Sequence, residues 1–363
     1  MTQPLAILRT GAVTSVGQNA ASTFAAVRVR LNNYEESAFI DSKGAPVSAA
    51  MTVLENEAVR LNSAGLQATL LNQALRECLS ELPELDLSAV PLLLCVAELT
   101  RPGRPENLRQ TLITEAENAL QCSFSDHSAI YAYGQAAYGF ALNAAFELLT
   151  THPLILIAGV DSYLSAATLK TMHRQGRVFA GDNPNGFIPG EAACALLVGH
   201  PDYLQQIAPR YSNVRKDNSG SEPLIPVTGL FCTGLAIGRE PAVIGSSLPN
   251  TAKVLSETIG SAIGILPQQP GSISLRISSQ NTEDFYAKEF AIAGNRSGVA
   301  SAPLWTISDS LGETGAAAGL LTIAAAYAAG HKGYLPGPNV LSTAASDEGE
   351  RVAAVLSFGN YQS

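Results

Sequence analysis

The sequence predicts an α/β protein whose sheet is covered by helices on both faces. Short apolar runs of strand length, such as residues 89–97 (AVPLLLCVA), alternate along the chain with longer helical patterns. The composition suits a large buried core, because 46% of the 363 residues are hydrophobic and only 15% are charged. The alternation occurs in residues 1–200 and again in residues 201–363, with no low-complexity linker between them. We therefore predict two fused βαβαβ-type halves with these bounds.

Two periodicities give the positions of the individual elements. Continuous apolar runs predict strands, and apolar residues that recur every three or four positions predict helices. The helix of residues 66–82 (LQATLLNQALRECLSEL), for example, ends at Pro83. The predicted strands are residues 5–9, 89–97, 128–133, 154–158, 190–199, 242–244, 273–277 and 352–358. One predicted helix begins near Ala20, and the others cover residues 66–82, 107–120, 135–149, 283–293 and 315–329. Residues 32–62 are expected to be irregular or to form a hairpin.

The most apolar stretch, residues 315–330 (GAAAGLLTIAAAYAAG), is predicted to be a buried helix and not a membrane span. A span needs about 20 apolar residues, and this stretch is shorter and is flanked by Glu313 and His331. The start, MTQPLAILRTGAV, lacks the basic region and apolar run of a secretory signal. We therefore expect a cytoplasmic protein.

Charge and cysteine content argue against several classes of partner and cofactor. The net charge of −9 argues against nucleic acid and anionic membranes, because both require clustered Lys and Arg. The five cysteines show neither CxxC spacing nor His neighbours at metal-ligand intervals. No dinucleotide, phosphate-loop or zinc-protease motif is present. We expect reduced thiols, no metal site and no cofactor.

Four stretches, in matching order and spread over almost the whole chain, indicate a family. They are ILRTGAVTSVGQNAASTFAAV near the start, NGFIPGEAACALLV at residues 185–198, LGETGAAAGL at residues 311–320 and VLSTAASDEGERVAAVL near the end. Together they resemble the opening strand and helix, the GFVPGEGA element, the GHTxAAAG segment and the closing glycine-rich loop of the β-ketoacyl synthases of the thiolase superfamily. The resemblance implies the thiolase fold, with a layered α/β/α/β/α core. It also implies a homodimer that pairs through a strand of the first half.

The family's chemistry rests on a cysteine nucleophile at the start of a helix, supported by two histidines. Matching helix to helix, the resemblance puts Gln135 at the nucleophile position. A slip of one or two residues offers only Tyr133 or Gly134, and neither attacks a thioester. Gln135 is therefore expected to be a hydrogen-bonded polar residue in a vestigial pocket. Glutamine at this position also occurs in chain-length factors and in decarboxylating loading synthases, and the latter keep both histidines.

The histidine positions of the family are also replaced. The first falls on Ser279 or Gln280, and the second falls on Glu313. The family's lysine corresponds to Ser308. Residues 201–330 contain no histidine at all, so this conclusion does not depend on where gaps are placed. We therefore predict vestigial positions and no catalytic residues.

The sequence does not decide the roles of two acidic features, Glu313 and the closing loop. Glu313, near Asp309 at a predicted helix start, fits ordinary capping and dipole chemistry. If Glu313 is instead buried among apolar residues, its pKa would rise and it would suit a general base. The closing loop carries Asp347, Glu348 and Glu350, which we expect to repel a developing oxyanion.

Three functions remain compatible with these residues, and we favour a non-catalytic binding, adaptor or chaperone-like role. The opening TGAVTSVG, with NNYEES and DSKG behind it, resembles degenerate thiolase-like proteins associated with type VI secretion effector clusters, which makes a secretion effector the expected partner. One alternative is a chain-length-factor-like subunit of an active ketosynthase, which Gln135 supports and the acidic closing loop opposes. The other is an enzyme with altered acyl chemistry centred on Gln135 and Glu313. That enzyme needs an open pocket at the helix start, one not filled by Tyr131, Tyr133 or Tyr138.

Overall fold

The structure, a computed structural model, describes residues 3–54, 56, 59–60, 63–181, 183–204, 228–265 and 273–360. The strands in these residues are β1 Leu5–Val13, β2 Glu35–Ile40, β3 Pro46–Ala49, β4 Leu92–Cys95, β5 Ala129–Tyr131, β6 Leu154–Ser162, β7 Glu191–Gly199, β8 Thr228–Arg239, β9 Leu275–Ser278, β10 Leu304–Thr306, β11 Asn339–Ala345 and β12 Glu350–Asn360. The helices are α1 Ala20–Arg28, α2 Ser63–Leu79, α3 Leu108–Leu120, α4 Ala137–Leu148, α5 Ala166–Arg174, α6 Lys253–Gly264, α7 Asp284–Arg296, α8 Ser308–Leu311 and α9 Ala318–His331.

Ten of these strands form one continuous sheet, and its two ends repeat one pattern. The strand order is β10-β9-β11-β12-β8-β1-β7-β6-β4-β5. Outward from the centre, β1, β7, β6, β4 and β5 correspond to β8, β12, β11, β9 and β10. Strands β1 and β8 join the two groups through an antiparallel contact that runs from Leu5↔Cys232 to Ile7↔Leu230. Strands β2 and β3 form a separate hairpin.

Three apolar cores show how the helices cover the sheet. The central core contains α4 and α9 and takes side chains from both strand groups, such as Ile157 of β6 and Val352 of β12. Helices α2 and α3 cover the outer face of the first group, in the core that includes Leu71. Helices α6 and α7 cover the outer face of the second group, in the core that includes Ile259. The layers are therefore α/β/α/β/α, as predicted.

The apolar stretch at residues 315–330 supplies the innermost helix. All but two residues of α9 are buried, so the helix is apolar on every side because every side contacts protein. In the part of the chain that the structure describes, no helix is both long enough and apolar enough to cross a bilayer. Helices α4 and α9 approach closely at Gly319, where a Cβ atom would overlap the ring of Tyr138. Tyr138 is fully buried and its hydroxyl lies 3.1 Å from Ser342 Oγ.

Most predicted elements are present, with one wrong strand and several missed ones. The strand predicted at residues 242–244 is absent, because the chain turns there and Gly245 has a φ of 79°. The strand just before this turn is β8, which the sequence analysis missed because small and polar residues interrupt its apolar pattern. Strands β10 and β11 were also missed. The hairpin β2–β3 lies in the segment 32–62, of which residues 55, 57–58 and 61–62 are outside the described part.

The contact between α4 and α9 predicts the effect of adding one methyl group. We expect Gly319→Ala to lower the free energy of unfolding by about 1–3 kcal/mol, since the new atom overlaps Tyr138 in a packed core. Gly260→Ala is the matched control, because Gly260 is exposed on α6 with open space around it. Because alanine has a higher helix propensity than glycine, Gly260→Ala should raise the free energy of unfolding by up to about 1 kcal/mol. Urea unfolding measures both, and equal effects would contradict the close packing.

Candidate functional site

The helix starts of α4 and α9 are built in the same way. A 3₁₀ turn precedes each helix, and each turn begins with a glycine in the left-handed region: Gly134 has a φ of 53° and Gly315 a φ of 52°. A Cβ atom on Gly134 would overlap the carboxylate of Glu98, and one on Gly315 would overlap the carboxylate of Asp161. Both positions therefore require glycine for backbone conformation and for space. Gln135 directly follows the first of these glycines.

Four buried or nearly buried side chains meet between the two helix starts, and we call Gln135, Ser279, Asn281 and Glu313 the Gln135 cluster. Gln135 Nε2 donates to Glu313 Oε2 at 2.5 Å, and Gln135 Oε1 accepts from Ser279 Oγ at 2.6 Å. Asn281 Nδ2 donates to Glu313 Oε2 at 2.9 Å. The backbone N–H of Gly315 donates to Glu313 Oε1 at 2.9 Å. The Gln135 amide is bonded at both ends, and both carboxylate oxygens are engaged.

The cluster contains three of the five predicted vestigial positions. Gln135 bonds to both Ser279 and Glu313, whereas Ser308 and Gln280 lie to one side. Ser308 Oγ donates to the backbone carbonyl of Gln280 at 2.6 Å. Of the two candidates for the first histidine position, Ser279 is therefore the one that bonds to Gln135.

Glu313 has both the contact with a helix start and the burial that the sequence left open. Its carboxylate accepts a hydrogen bond from the backbone N–H of Gly315, in the turn that starts α9, and Glu313 is only 3% exposed. Burial raises its pKa to about 7, although the N–H of Gly315, the amide of Asn281 and the charge of Arg101 act in the opposite direction. Asp309 takes a separate position, where its Oδ2 accepts from Thr306 Oγ1 at 3.1 Å.

A second layer of paired charges adjoins the cluster through Asn281. Asn281 Nδ2 also donates to Glu283 Oε2 at 3.0 Å. Arg177 holds Glu283 by two parallel bonds of 2.8 Å each, and holds Asp347 by two bonds of 2.5 and 3.0 Å. Tyr286 also donates to Asp347, at 2.5 Å. Burial tends to raise the pKa of Asp347, but Arg177 and Tyr286 hold it below its usual value.

The acidic closing loop is largely paired. Besides Asp347, Glu350 accepts from Ser346 Oγ at 2.5 Å and from Arg239 Nη1 at 2.6 Å. Glu348 accepts from Thr100 across the two halves. The three carboxylates that we expected to face an oxyanion are thus bound to other groups, and Asp347 is neutralised by a buried arginine.

Arg101 organises the opposite side of the site. Its guanidinium pairs with Glu98, lies 3.5 Å from Asp161 Oδ2 and stacks 4.0 Å above the ring of Tyr163. Burial raises the pKa of Glu98, and the charge of Arg101 opposes that rise. Asp161 Oδ2 also accepts from the backbone N–H of Ala316 at 3.0 Å. The end of β6 is thereby fixed to the start of α9.

A cavity of about 670 Å³ opens beside these paired charges. Its charged lining residues are Glu98, Arg101, Arg177, Glu283, Asp347 and Glu348. Neither Gln135 nor Glu313 lines it. Tyr138 occupies the space between α4 and α9, and Tyr133 stacks on Phe140 with ring centroids 4.0 Å apart.

The sequence carried a signal for some of the additional site residues and none for others. Glu98 directly follows the apolar run of residues 89–97, which places it at the carboxyl end of a strand, where sites of α/β proteins lie. Asn281 lies two residues from Ser279, within the segment already matched to the first histidine. Arg177 follows α5 in a loop with no distinguishing pattern, and only the fold brings it to Glu283.

The thiols and imidazoles lie elsewhere in the protein. Four cysteines are buried in the cores and Cys122 is partly exposed after α3. Burial raises the pKa of all five thiols. The histidines contact other groups: His127 and His152 contact each other, His173 contacts Phe39, His200 lies near Asp202, and His331 packs on Tyr327. In the described residues, no thiol or imidazole bonds to the Gln135 cluster.

Comparison of the whole chain with solved structures identifies the architecture. No protein-family model and no curated protein sequence matches the chain. A β-ketoacyl synthase from Burkholderia phymatum matches 99% of this chain and 100% of its own, at 13% identity and a TM-score of 0.73. The protein has the ketosynthase fold.

Two further solved structures match in the same way. The ishigamide ketosynthase/chain length factor matches 99% of this chain and 100% of its own, at 15% identity and a TM-score of 0.74. A type II PKS acyl-carrier protein in complex with its ketosynthase bound to the hexaketide matches 98% and 100%, at 12% identity and a TM-score of 0.76.

The likeness to ketosynthase-fold structures is one of architecture. At 12–15% identity it establishes the arrangement of the layers and leaves the chemistry to the residues of this chain. Those residues place an amide at the start of α4 and a carboxyl group at the start of α9.

The double pairing of Arg177 predicts a large loss of stability on its removal. We expect Arg177→Met to lower the free energy of unfolding by about 3–5 kcal/mol, because Glu283 and Asp347 lose their shared cation in a largely buried site. Lys288→Met is the matched control, since Lys288 and its partner Asp284 are exposed, and its effect should stay within about 0.5 kcal/mol. Similar denaturant midpoints for the two variants would contradict the assignment.

The raised pKa of Glu313 predicts a pH-dependent difference between the wild type and Glu313→Gln. The folded protein binds this proton more tightly than the unfolded chain, so its contribution is present below a pH of about 4.5 and is lost as the pH rises through about 7. Relative to Glu313→Gln, the wild type should therefore lose about 3 kcal/mol of unfolding free energy over that interval. Parallel stability curves for the two proteins would show that Glu313 ionises normally.

Proposed function

We propose that the protein is a non-catalytic member of the ketosynthase-fold proteins that acts by binding a partner. The observation that carries this proposal is the Gln135 amide, which lies at the start of α4 and is bonded at both ends to Glu313 and Ser279. The resemblance expects a cysteine nucleophile at that position.

An amide and a carboxyl group cannot replace the family's chemistry. The glutamine side chain has no lone pair comparable with that of a thiolate for attack on a thioester. Glu313 offers a negative charge or a single proton where the resemblance expects an imidazole, and a negative charge opposes a developing oxyanion. Gln135 and Glu313 do not line the cavity of about 670 Å³, and Asn281 connects Glu313 to Glu283, which does line it.

The partner follows from the resemblance of the N-terminal segment to degenerate thiolase-like proteins of type VI secretion effector clusters. On this proposal the protein assists folding, stabilisation or loading of a secretion effector. A homodimer is the expected form.

A chain-length-factor-like subunit is the second candidate function. Two observations favour it: the glutamine at the nucleophile position, and a match to the ishigamide ketosynthase/chain length factor over 99% of this chain. One observation opposes it. The cavity carries four carboxylates against two arginines, which disfavours an acidic carrier protein.

Loss of the nucleophile predicts that the protein forms no acyl-enzyme. Incubated with a short acyl N-acetylcysteamine thioester, the wild type should show no added acyl mass, whereas an active ketosynthase treated alongside should show one. Cys122 is the partly exposed thiol, so Cys122→Ser is the control for nonspecific acylation. An adduct on the wild type that persists in Cys122→Ser and disappears in Gln135→Leu would contradict the proposal.

A tagged pull-down at native expression level distinguishes the two candidate partners. Recovery of a secreted toxin or of secretion-apparatus components supports the adaptor role. Recovery of a ketosynthase or an acyl carrier protein overturns it and establishes the subunit role instead.

A further inference from the structure

The length of the bond between Gln135 and Glu313 is compatible with two orientations of the Gln135 amide. The Gln135–Glu313 separation is 2.5 Å and the Gln135–Ser279 separation is 2.6 Å. The Gln135–Glu313 separation is short for an N–H···O bond and typical of an O–H···O bond, whereas the Ser279–Gln135 separation is ordinary for the O–H···O bond that Ser279 donates. The nitrogen and oxygen of a glutamine amide are assigned from their hydrogen bonds, so the same atoms permit either orientation of the amide.

Each orientation completes the chain of hydrogen bonds for one ionisation state of Glu313. With Glu313 ionised, Ser279 Oγ–H donates to Gln135 Oε1 and Gln135 Nε2–H donates to Glu313 Oε2. With a proton on Glu313 Oε2, the carboxyl group must donate, and its nearest partner becomes an acceptor only if the amide is reversed. The reversed Nε2–H then donates to Ser279 Oγ, because a hydroxyl both donates and accepts.

The remaining bonds of Glu313 are compatible with both states. Asn281 Nδ2 donates to Oε2, which keeps a lone pair when protonated, and the Gly315 N–H donates to Oε1. Uptake of the proton therefore leaves no buried polar atom of the carboxyl group without a partner. The only rearrangement required is a half-turn of one amide and the rotation of one hydroxyl.

We propose that Glu313 and Gln135 form a proton-linked switch, in which protonation of Glu313 reverses the Gln135 amide. Gln135 belongs to the first half of the chain, and Ser279, Asn281 and Glu313 belong to the second. The proton thus changes the direction of hydrogen bonding across the junction between the halves without opening it. This inference concerns ionisation and does not rest on the absence of thioester chemistry.

Charged groups on the neighbouring elements act on the pKa of Glu313 in opposite directions. Burial favours the neutral form and Asp347 acts in the same direction, whereas Arg101 favours the ionised form. Asp161 faces the adjacent Gly315, and Glu283 shares Asn281 with Glu313. Tyr163 also interacts with the Glu313 charge, and its hydroxyl stays neutral because burial raises its pKa.

Nuclear magnetic resonance of the intact wild-type protein tests the switch. Protein labelled with ¹³C in glutamate and ¹⁵N in glutamine is titrated from about pH 5 to about pH 9, on either side of the Glu313 midpoint. We expect the Glu313 carboxyl carbon and the Gln135 side-chain nitrogen to titrate with one common midpoint. We also expect contacts between the Gln135 amide protons and the Ser279 β-protons at low pH, and their loss at high pH.

Two references make the result decisive. Gln67, a buried glutamine on α2, should show no such change over the same range. Glu313→Gln should show the low-pH pattern of Gln135 at every pH. The proposal is overturned if Glu313 does not titrate in this range, or if it titrates while the contacts of the Gln135 amide protons stay the same. Since the measurement is made on the wild type, a poorly folded variant does not affect the outcome.

Discussion

The packing of α4 against α9 in the central layer is the constraint on which the rest of the structure depends. The helices approach so closely that Gly319 has no room for a side chain beside Tyr138. Their starts are brought together in the same way, by glycines that leave space for the carboxylates of Glu98 and Asp161. Polar groups placed at such a junction lie beyond bulk water, so each must find a partner within the protein.

The Gln135 cluster satisfies that requirement and is supported by the paired charges around it. Arg177 and Arg101 each lie between two carboxylates, and Asn281 joins Glu283 to Glu313. Because a buried charge without a partner is costly, such a network tolerates little substitution. At the two positions where the family resemblance expects a cysteine and a histidine, the cluster holds an amide and a carboxyl group. A site that fixes an amide and a carboxyl group in this way suits the non-catalytic role that we propose.

Residue patterns predicted a helix-covered α/β sheet, and the family resemblance supplied the layered core and the positions of Gln135, Ser279 and Glu313. Apolar strands and the apolar α9 follow from burial on all sides, and the motifs around Gln135 and Glu313 place these two residues at helix starts. The strand predicted at residues 242–244 is wrong, because three apolar residues beside a turn glycine resemble a short strand. Arg177 was beyond prediction, since its partner Glu283 lies 106 positions away in the chain and only the folded sheet brings them together. The pKa of Glu313 likewise depends on burial and on partners that local sequence does not show.

Whether the purified protein releases carbon dioxide from a malonyl thioester is the sharpest test of the proposal that it is non-catalytic. It detects residual ketosynthase decarboxylation, including any that Gln135 and Glu313 support. We expect the same rate as in buffer alone, because the amide donors of the cluster are bonded to Glu313 and Glu283. A rate well above that of buffer, and lost in Glu313→Gln, would contradict the account and show that the site is an active centre.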